Sequence, residues 1–197
     1  MIEASFHKRI GEFDLDASIS GEDMMLLTGA NGSGKTTFLK SIAGYFPIDS
    51  GTIILNSVNV TTMPVSERKA VYIGSDSSIN SLTVHDHITW PKSSFTPSEK
   101  ERIMISLGID FNGKVGNLSL GQRIKVSIAT AIISGPRILL IDEVLANVSK
   151  VHEFCLAISE ITLRNHIDVI AAMQTNDLKD VFGQVFSISH GRLSRVK

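Results

Sequence analysis

Residues 29–37 read G-A-N-G-S-G-K-T-T. The stretch fits G-x-x-x-x-G-K-[ST], with Lys35 and Thr36 closing the pattern. Ahead of it, Met24–Thr28 is a short apolar run, as in a strand covered on both faces. Behind it a helix is expected from about Lys35 to Ile42, with Gly44 as its stop. A strand, a glycine-rich turn and a helix in that order make a phosphate cradle. Gly29, Gly32 and Gly34 let the backbone curl until successive N–H groups face phosphate oxygens. A nucleotide would lie along Gly29, Ala30, Asn31, Gly32, Ser33, Gly34, Lys35, Thr36 and Thr37. Lys35 brings a full positive charge to the β- and γ-phosphates, and the helix dipole adds to that field. The Thr36 hydroxyl is a hard oxygen ligand for Mg²⁺.

Downstream, Ile138–Glu143 reads I-L-L-I-D-E. A buried strand there carries Asp142 to its carboxyl end, where ligands bind in open α/β sheets. Asp142 would hold Mg²⁺ through water. Glu143, one residue on, points differently and could orient or deprotonate an attacking water.

The rest of the chain supplies a scaffold for these two motifs. Ile2, Ala4 and Phe6, then Phe13, Leu15, Ala17 and Ile19, alternate with polar residues on either side of Gly11-Glu12, as in an antiparallel hairpin. Further strands are expected near Ile53–Leu55, Val71–Ile73 and Val169–Met173, and a hairpin over Val185–Val196 turning at His190-Gly191. From about Ser75 to Ser134 the pattern turns helical. Thr96-Pro97-Ser98-Glu99 starts one helix, which Gly108 closes. A second runs from about Ser119 to Ile133 and ends at Gly135-Pro136. Ser149 is read as the cap of a long helix to about Arg164. The expected fold is α/β, with a mostly parallel sheet, an antiparallel hairpin at the start and a helical lobe over about 76–133. It is expected as one domain over 1–197 with no further domain after the last hairpin.

The chain has 197 residues, 43% apolar and 20% charged, which suits one folded domain. A formal net charge of −1 gives no long-range attraction to nucleic acid or anionic lipid, so no nucleic-acid partner is expected. Cys155 is the single cysteine, which rules out an internal disulfide; its neighbours Phe154, Leu156 and Ile158 point to a buried, inert thiol. No stretch approaches the ~20 apolar residues of a membrane span. The start, MIEASFHKRI, lacks the basic end and apolar core of a signal peptide. A cytosolic protein without direct membrane insertion is expected. His85 and His87 lie two residues apart on a predicted helix and face different ways, so they make no metal site. Most of the six histidines are read as surface residues.

Residues 118–122 read L-S-L-G-Q. Leu118, Ser119, Leu120, Gly121 and Gln122 hold no acid, base or metal ligand. Ser119 falls 84 residues after Lys35 and 23 before Asp142, and it opens a helix leading into the Asp142 strand. With the two flanking motifs, this order resembles the ATP-binding cassette (ABC) family, whose corresponding stretch is usually L-S-G-G-Q. The resemblance runs almost from the first hairpin to the last. It implies a P-loop NTPase fold that binds and hydrolyses Mg-ATP, and a head-to-tail pair of cassettes, as homodimer or heterodimer. The L-S-L-G-Q of one cassette would close over ATP held by the other. The resemblance also implies a separate integral membrane permease, docked on the helical lobe, and a place at the inner face of the cell membrane. Met63–Lys69 and Leu82–Asp86 are similar to segments of importer ATPases, and Lys8–Phe13 to molybdate/tungstate importer subunits.

Four positions depart from the family pattern. Leu120 replaces the first glycine of the usual stretch. Where a metal-contacting glutamine normally follows the strand at Val71–Ile73, the run Y-I-G-S-D offers Ser75 or Asp76. Ser149 replaces a cross-dimer carboxylate, and Asn176 a γ-phosphate-contacting histidine; asparagine can donate a hydrogen bond but carries no charge. A slow cassette, acting as an ATP-binding switch or completed by a second cassette, is the alternative. For covering adenine, Phe6 and Phe13 fall on the apolar face and read as core, while Arg9 and Ile10 lie near the hairpin turn.

Overall fold

The computed structural model describes residues 1–175 and 177–197. Among these residues ten strands form one sheet: β1 Ile2–Ile10, β2 Phe13–Gly21, β3 Met24–Thr28, β4 Ser50–Leu55, β5 Val58–Asn59, β6 Ala70–Ile73, β7 Ile138–Asp142, β8 Asp168–Met173, β9 Gln184–Ser189 and β10 Arg192–Arg195. The helices are α1 Lys35–Ala43, α2 Val84–Thr89, α3 Pro97–Ser106, α4 Leu120–Ile133 and α5 Val151–Arg164. The spatial order is β5-β4-β1-β2-β10-β9-β3-β8-β7-β6. The block from β9 to β6 is parallel, and the block from β5 to β2 is antiparallel. β10 joins them, antiparallel to β9 and parallel to β2.

Side-chain alternation explains the layering. In the hairpin, Ile2, Ala4 and Phe6 of β1 and Leu15, Ala17 and Ile19 of β2 are buried while their neighbours face outward. In β3, β7 and β8 both faces are covered, which is why those runs are apolar except at Thr28, Asp142 and Asp168 at their ends. Leu139 and Ile141 of β7 join a cluster with α4 and α5, while Ile138 and Leu140 join Phe38, Leu39 and Ile42 of α1 on the other face. Each fully buried Leu, Ile or Phe contributes about 1.5–3 kcal/mol, so the two clusters fix both faces of the parallel block.

Helix ends follow local chemistry. Thr96 and Glu99 form a capping box at α3, and Ser119 and Gln122 form another at α4. Gly44 ends α1 in a left-handed conformation. The C-terminal carbonyls of α1 are also held by Arg68, which is 3% exposed. Its guanidinium donates to Ser41 O, Ile42 O, Thr61 O and Met63 O.

Two local readings change. Ser149 does not cap α5; Lys150, with φ 53°, is the flanking residue and makes no side-chain cap, because a left-handed residue turns the chain into the helix. His87 is buried on α2. Its Nε2 accepts the Ile79 N–H at 3.1 Å, which puts its own proton on Nδ1, 2.8 Å from Thr130 Oγ1. Burial pulls its imidazole below the usual histidine range.

Candidate functional site

The site forms at the carboxyl ends of β3, β8 and β7, which are neighbours in the sheet. The glycine-rich loop leaves β3 and runs into α1. Its first intrahelical bond goes from Phe38 N–H to Gly34 O, so the N–H groups of the turn before have no intrahelical acceptor. Gly34 has φ 113°, and a Cβ there would sit 2.7 Å from Phe13 Cζ. Ser33 Oγ is buried without a hydrogen-bond partner among the described residues. The turn between β9 and β10 braces the loop, with Gly191 N–H donating to Ser33 O at 3.1 Å.

Alternation along β7 sends Asp142 to the face of Leu140, where α1 lies. There Asp142 Oδ2 accepts the Thr36 hydroxyl at 2.7 Å and the Tyr72 hydroxyl at 2.6 Å. Asp142 Oδ1 is buried and has no partner among the described residues. An open carboxylate oxygen beside a threonine hydroxyl fits a hard divalent cation such as Mg²⁺, which takes one or two carboxylates and completes its shell from phosphate and water. Among the described residues no cluster of three His, Cys, Asp or Glu competes for that role. Burial, then the bond to Asp142, pushes the Tyr72 phenol up and keeps it a donor.

Glu143 has φ 56°, an uncommon conformation for a non-glycine residue that costs about 1–2 kcal/mol. Its N–H donates to Ala172 O. Its Oε1 meets Lys35 Nζ at 2.9 Å, and its Oε2 accepts from Gln174 Nε2 at 3.2 Å. Burial works to raise the Glu143 carboxyl, but the Lys35 ammonium and the Gln174 amide outweigh it and hold the group below its usual range. Lys35 also donates to Gly29 O and Ala30 O.

Three clefts surround this cluster. One of about 240 Å³ is lined by Ile10, Phe13, Gly32, Gly34, Lys35, Thr36, Thr37 and Glu143. A second, about 410 Å³, lies between Glu12–Asp14, Ala30–Ser33 and Ile188–His190. The third, about 240 Å³, holds Thr36, Tyr72, Gly74, Ser75, Asp142, Glu143 and Asn147.

The structure therefore brings the glycine loop, Asp142, Glu143 and Ser75 together. It does not bring Asp76 to the cleft around Asp142. Ser77 Oγ accepts the Gly74 N–H at 2.8 Å, closing a turn that leaves Asp76 exposed at its tip. Asn176 lies outside the described residues. None of Leu118–Gln122 lines the three clefts. Ser119 caps α4, Leu120 is 39% exposed, and a Cβ on Gly121 would lie 2.6 Å from Asn147 O, so the turn after β7 fits only a glycine there.

Phe6 is core, stacked on Phe38 at 5.7 Å between centroids. Phe13, read as core, is half-buried at the loop's mouth beside exposed Ile10, because it sits where the hairpin turn meets the loop. Sequence reasoning gives no role to Tyr72 or Gln174; His190, read only as part of the terminal hairpin turn and far along the chain from the loop, lines the second cleft beside it. A hydroxyl-bearing aromatic in an apolar strand was the available signal for Tyr72, since a buried phenol needs a partner.

Comparisons with known proteins agree with this geometry. The family model described as ABC transporter matches residues 13–146. The chain is 35% identical over 143 residues to a molybdate/tungstate import ATP-binding protein of Pyrococcus abyssi, covering 68% of this chain and 42% of that protein. It is 35% identical over 146 residues to a spermidine/putrescine import ATP-binding protein of Aliivibrio fischeri, covering 70% of this chain and 39% of the relative. The chain thus spans about two fifths of the length of the curated relatives it matches. A solved ATP-binding subunit of an ABC transporter superposes with a TM-score of 0.83 at 18% identity, over 100% of this chain and 90% of that one. A dimeric cassette in a post-hydrolysis state, bound to ADP and Pi, superposes at 0.79 with 16% identity, over 100% and 99%. At those identities the likeness speaks for the fold; the family match and the two import proteins carry the assignment. The chain belongs to the ABC transporter family.

Proposed function

We propose that the chain binds ATP with Mg²⁺ and hydrolyses it as the nucleotide-binding subunit of an importer, at the cytoplasmic face of a membrane. It would act as a head-to-tail pair of cassettes driving a separate permease. The observation that carries this reading is the convergence of Lys35, Thr36, Asp142 and Glu143 around the glycine loop. On ATP binding Lys35 leaves Gly29, Ala30 and Glu143 and turns to phosphate oxygens. Glu143 then loses its cationic partner and becomes a stronger proton acceptor for the attacking water. Bound Mg²⁺ would neutralise charge on the β- and γ-phosphate oxygens, held through Thr36 and Asp142, with Ser75 beside them. Ile10 and Phe13, which line the cleft beside the loop, would cover the base.

None of Leu118–Gln122 lines the three clefts around the glycine loop, which supports a role across a dimer, as does the dimeric cassette among the structural relatives. Ser119 and the start of α4 would donate to a γ-phosphate held by the partner cassette. No described helix is long and apolar enough to cross a membrane; on the proposed reading an integral partner supplies the membrane path. The helical lobe at about 76–133 offers that partner a groove of about 320 Å³ between β6, α2 and α4, lined by Val71, Ile79, His87, Trp90 and Thr130.

The test is steady-state phosphate release by the purified chain with Mg-ATP, beside Glu143→Gln, with size exclusion in ATP. Turnover that Glu143→Gln abolishes is the expected result. Absence of ATP binding would overturn the reading. Exposed Ser149, in place of a cross-dimer carboxylate, favours a second reading in which a distinct cassette completes the site. Binding without turnover would select it.

A further inference from the structure

We propose that Tyr72 is a positioning residue of the cation site, its hydroxyl fixing the Asp142 carboxylate so that Oδ1 stays open toward Mg²⁺. This rests on the reading above that Asp142 serves Mg-ATP.

An aspartate carboxylate rotates easily about its last torsion, which has broad minima. At Asp142 that freedom is removed from two sides. Thr36 on α1 donates to Oδ2 at 2.7 Å, and Tyr72 on β6 donates to the same oxygen at 2.6 Å. Oδ1, buried and without a partner among the described residues, is the oxygen left over. The two donors differ in kind. Thr36 belongs to the cation site itself, whereas the Tyr72 hydroxyl bonds Asp142 from outside the loop and helix that cradle phosphate.

The strand register explains how the phenol arrives there. Tyr72 is directly opposite Leu140 in the parallel β6–β7 pair. Asp142 is two residues beyond Leu140 and shares its face, so it lies diagonally across from Tyr72, within reach of an aromatic side chain. The ring is itself held. Tyr45 meets it edge-on with centroids 6.0 Å apart, and Lys40 Nζ lies 5.5 Å from its centroid. At Gly74 an added Cβ would sit 3.2 Å from the Tyr72 ring and 3.3 Å from its hydroxyl, so the backbone closes on its outer edge. A ring wedged between α1 and the end of β6 delivers its hydroxyl to one place, and that place is the Asp142 carboxylate.

The experiment is a Mn²⁺ titration of the full chain, followed by electron paramagnetic resonance with a non-hydrolysable ATP analogue present. Tyr72→Phe removes the hydroxyl and keeps the ring. Losing one charge-assisted hydrogen bond should weaken Mn²⁺ binding by about tenfold, while analogue affinity in EDTA stays within about twofold. That second measurement also verifies that the variant folds. On an Asp142→Ala background, Tyr72→Phe should weaken Mn²⁺ binding no further. Unchanged Mn²⁺ affinity in Tyr72→Phe would overturn the inference, and so would an equal loss on the Asp142→Ala background. If the unaltered chain bound neither analogue nor Mn²⁺, the functional reading itself would fall and the inference with it.

Discussion

Glu143→Gln should tighten ATP binding while abolishing turnover, because on the proposed reading the carboxylate that occupies Lys35 is also the proton acceptor. Lys35 is 3% exposed and donates to Gly29 O at 2.5 Å, Ala30 O at 2.8 Å and Glu143 Oε1 at 2.9 Å. An ammonium has three protons, so a phosphate oxygen gains one only when an acceptor releases it. The ionised glutamate is the strongest of the three. A hydrogen bond between charged groups contributes about 1.5–3 kcal/mol. Glu143 is 33% exposed, so solvent screening trims that figure, and glutamine retains a weaker carbonyl acceptor. About 1–1.4 kcal/mol remains, or roughly five- to tenfold tighter binding. The assay is equilibrium titration with a fluorescent ATP analogue, without Mg²⁺, at concentrations where size exclusion shows a monomer. Dimer closure then adds nothing to the affinity. With Mg-ATP the same variant should lose about 10²- to 10⁴-fold in phosphate release, the usual contribution of a general base. Unchanged or weaker binding without Mg²⁺ would refute the idea that Glu143 competes with phosphate for Lys35.

Three further outcomes follow from buried groups. Arg68→Met takes a donor from four carbonyl oxygens, of which Ser41 O keeps the Gly44 N–H, and should cost about 3 kcal/mol in urea unfolding; a loss below about 1 kcal/mol would contradict the capping role. Burial pushes the Cys155 thiol up to about 12, so a maleimide should label it only in denaturant, and native labelling at the rate of a free thiol would show the site is open. His87 titrates lower in the folded chain than its ordinary value of 6.5, so the unfolded chain binds more protons below that pH. Stability should fall as pH drops through 6.5 and level off below the folded value. His87→Gln should flatten that fall in thermal midpoint between about pH 8 and pH 5.5, and parallel losses in both proteins would show that His87 is not the source.

Features set by near neighbours in the chain were legible in the sequence. Thr96 with Glu99, and Gly44 after Ile42, act within a turn or two, and both took the places expected of them. Ser119 with Gln122 went further, since the spacing to Lys35 and Asp142 named a family that the comparison with known proteins then showed. What stayed hidden depends on partners distant in sequence. Nothing near Tyr72 reveals that its strand pairs with β7 in a register that sets it beside Asp142. Phe13 alternates like a core residue, yet its position at the strand's first residue brings it to the glycine loop. Lys150 defeated the cap rule because the approach to α5 needs a left-handed residue, and Ser149 could not provide a cap from one residue further out.

The brace on the glycine loop has a consequence for the newborn chain. β3 lies between β8 and β9, and the Gly191 N–H that holds Ser33 belongs to the turn after β9. The cradle at 29–37 leaves the ribosome early, but its two flanking strands arrive more than a hundred residues later. At ribosomal rates of about 5–20 residues per second, the interval between residues 37 and 191 is roughly 8 to 30 s. During that time the glycines have no sheet on either side of their strand and lack the Gly191 brace, with only local bonds such as Ser33 N–H to Ala30 O to shape the loop. On the proposed reading, the cradle should therefore gain its affinity for nucleotide only after β8, β9 and the turn at Gly191 have been made.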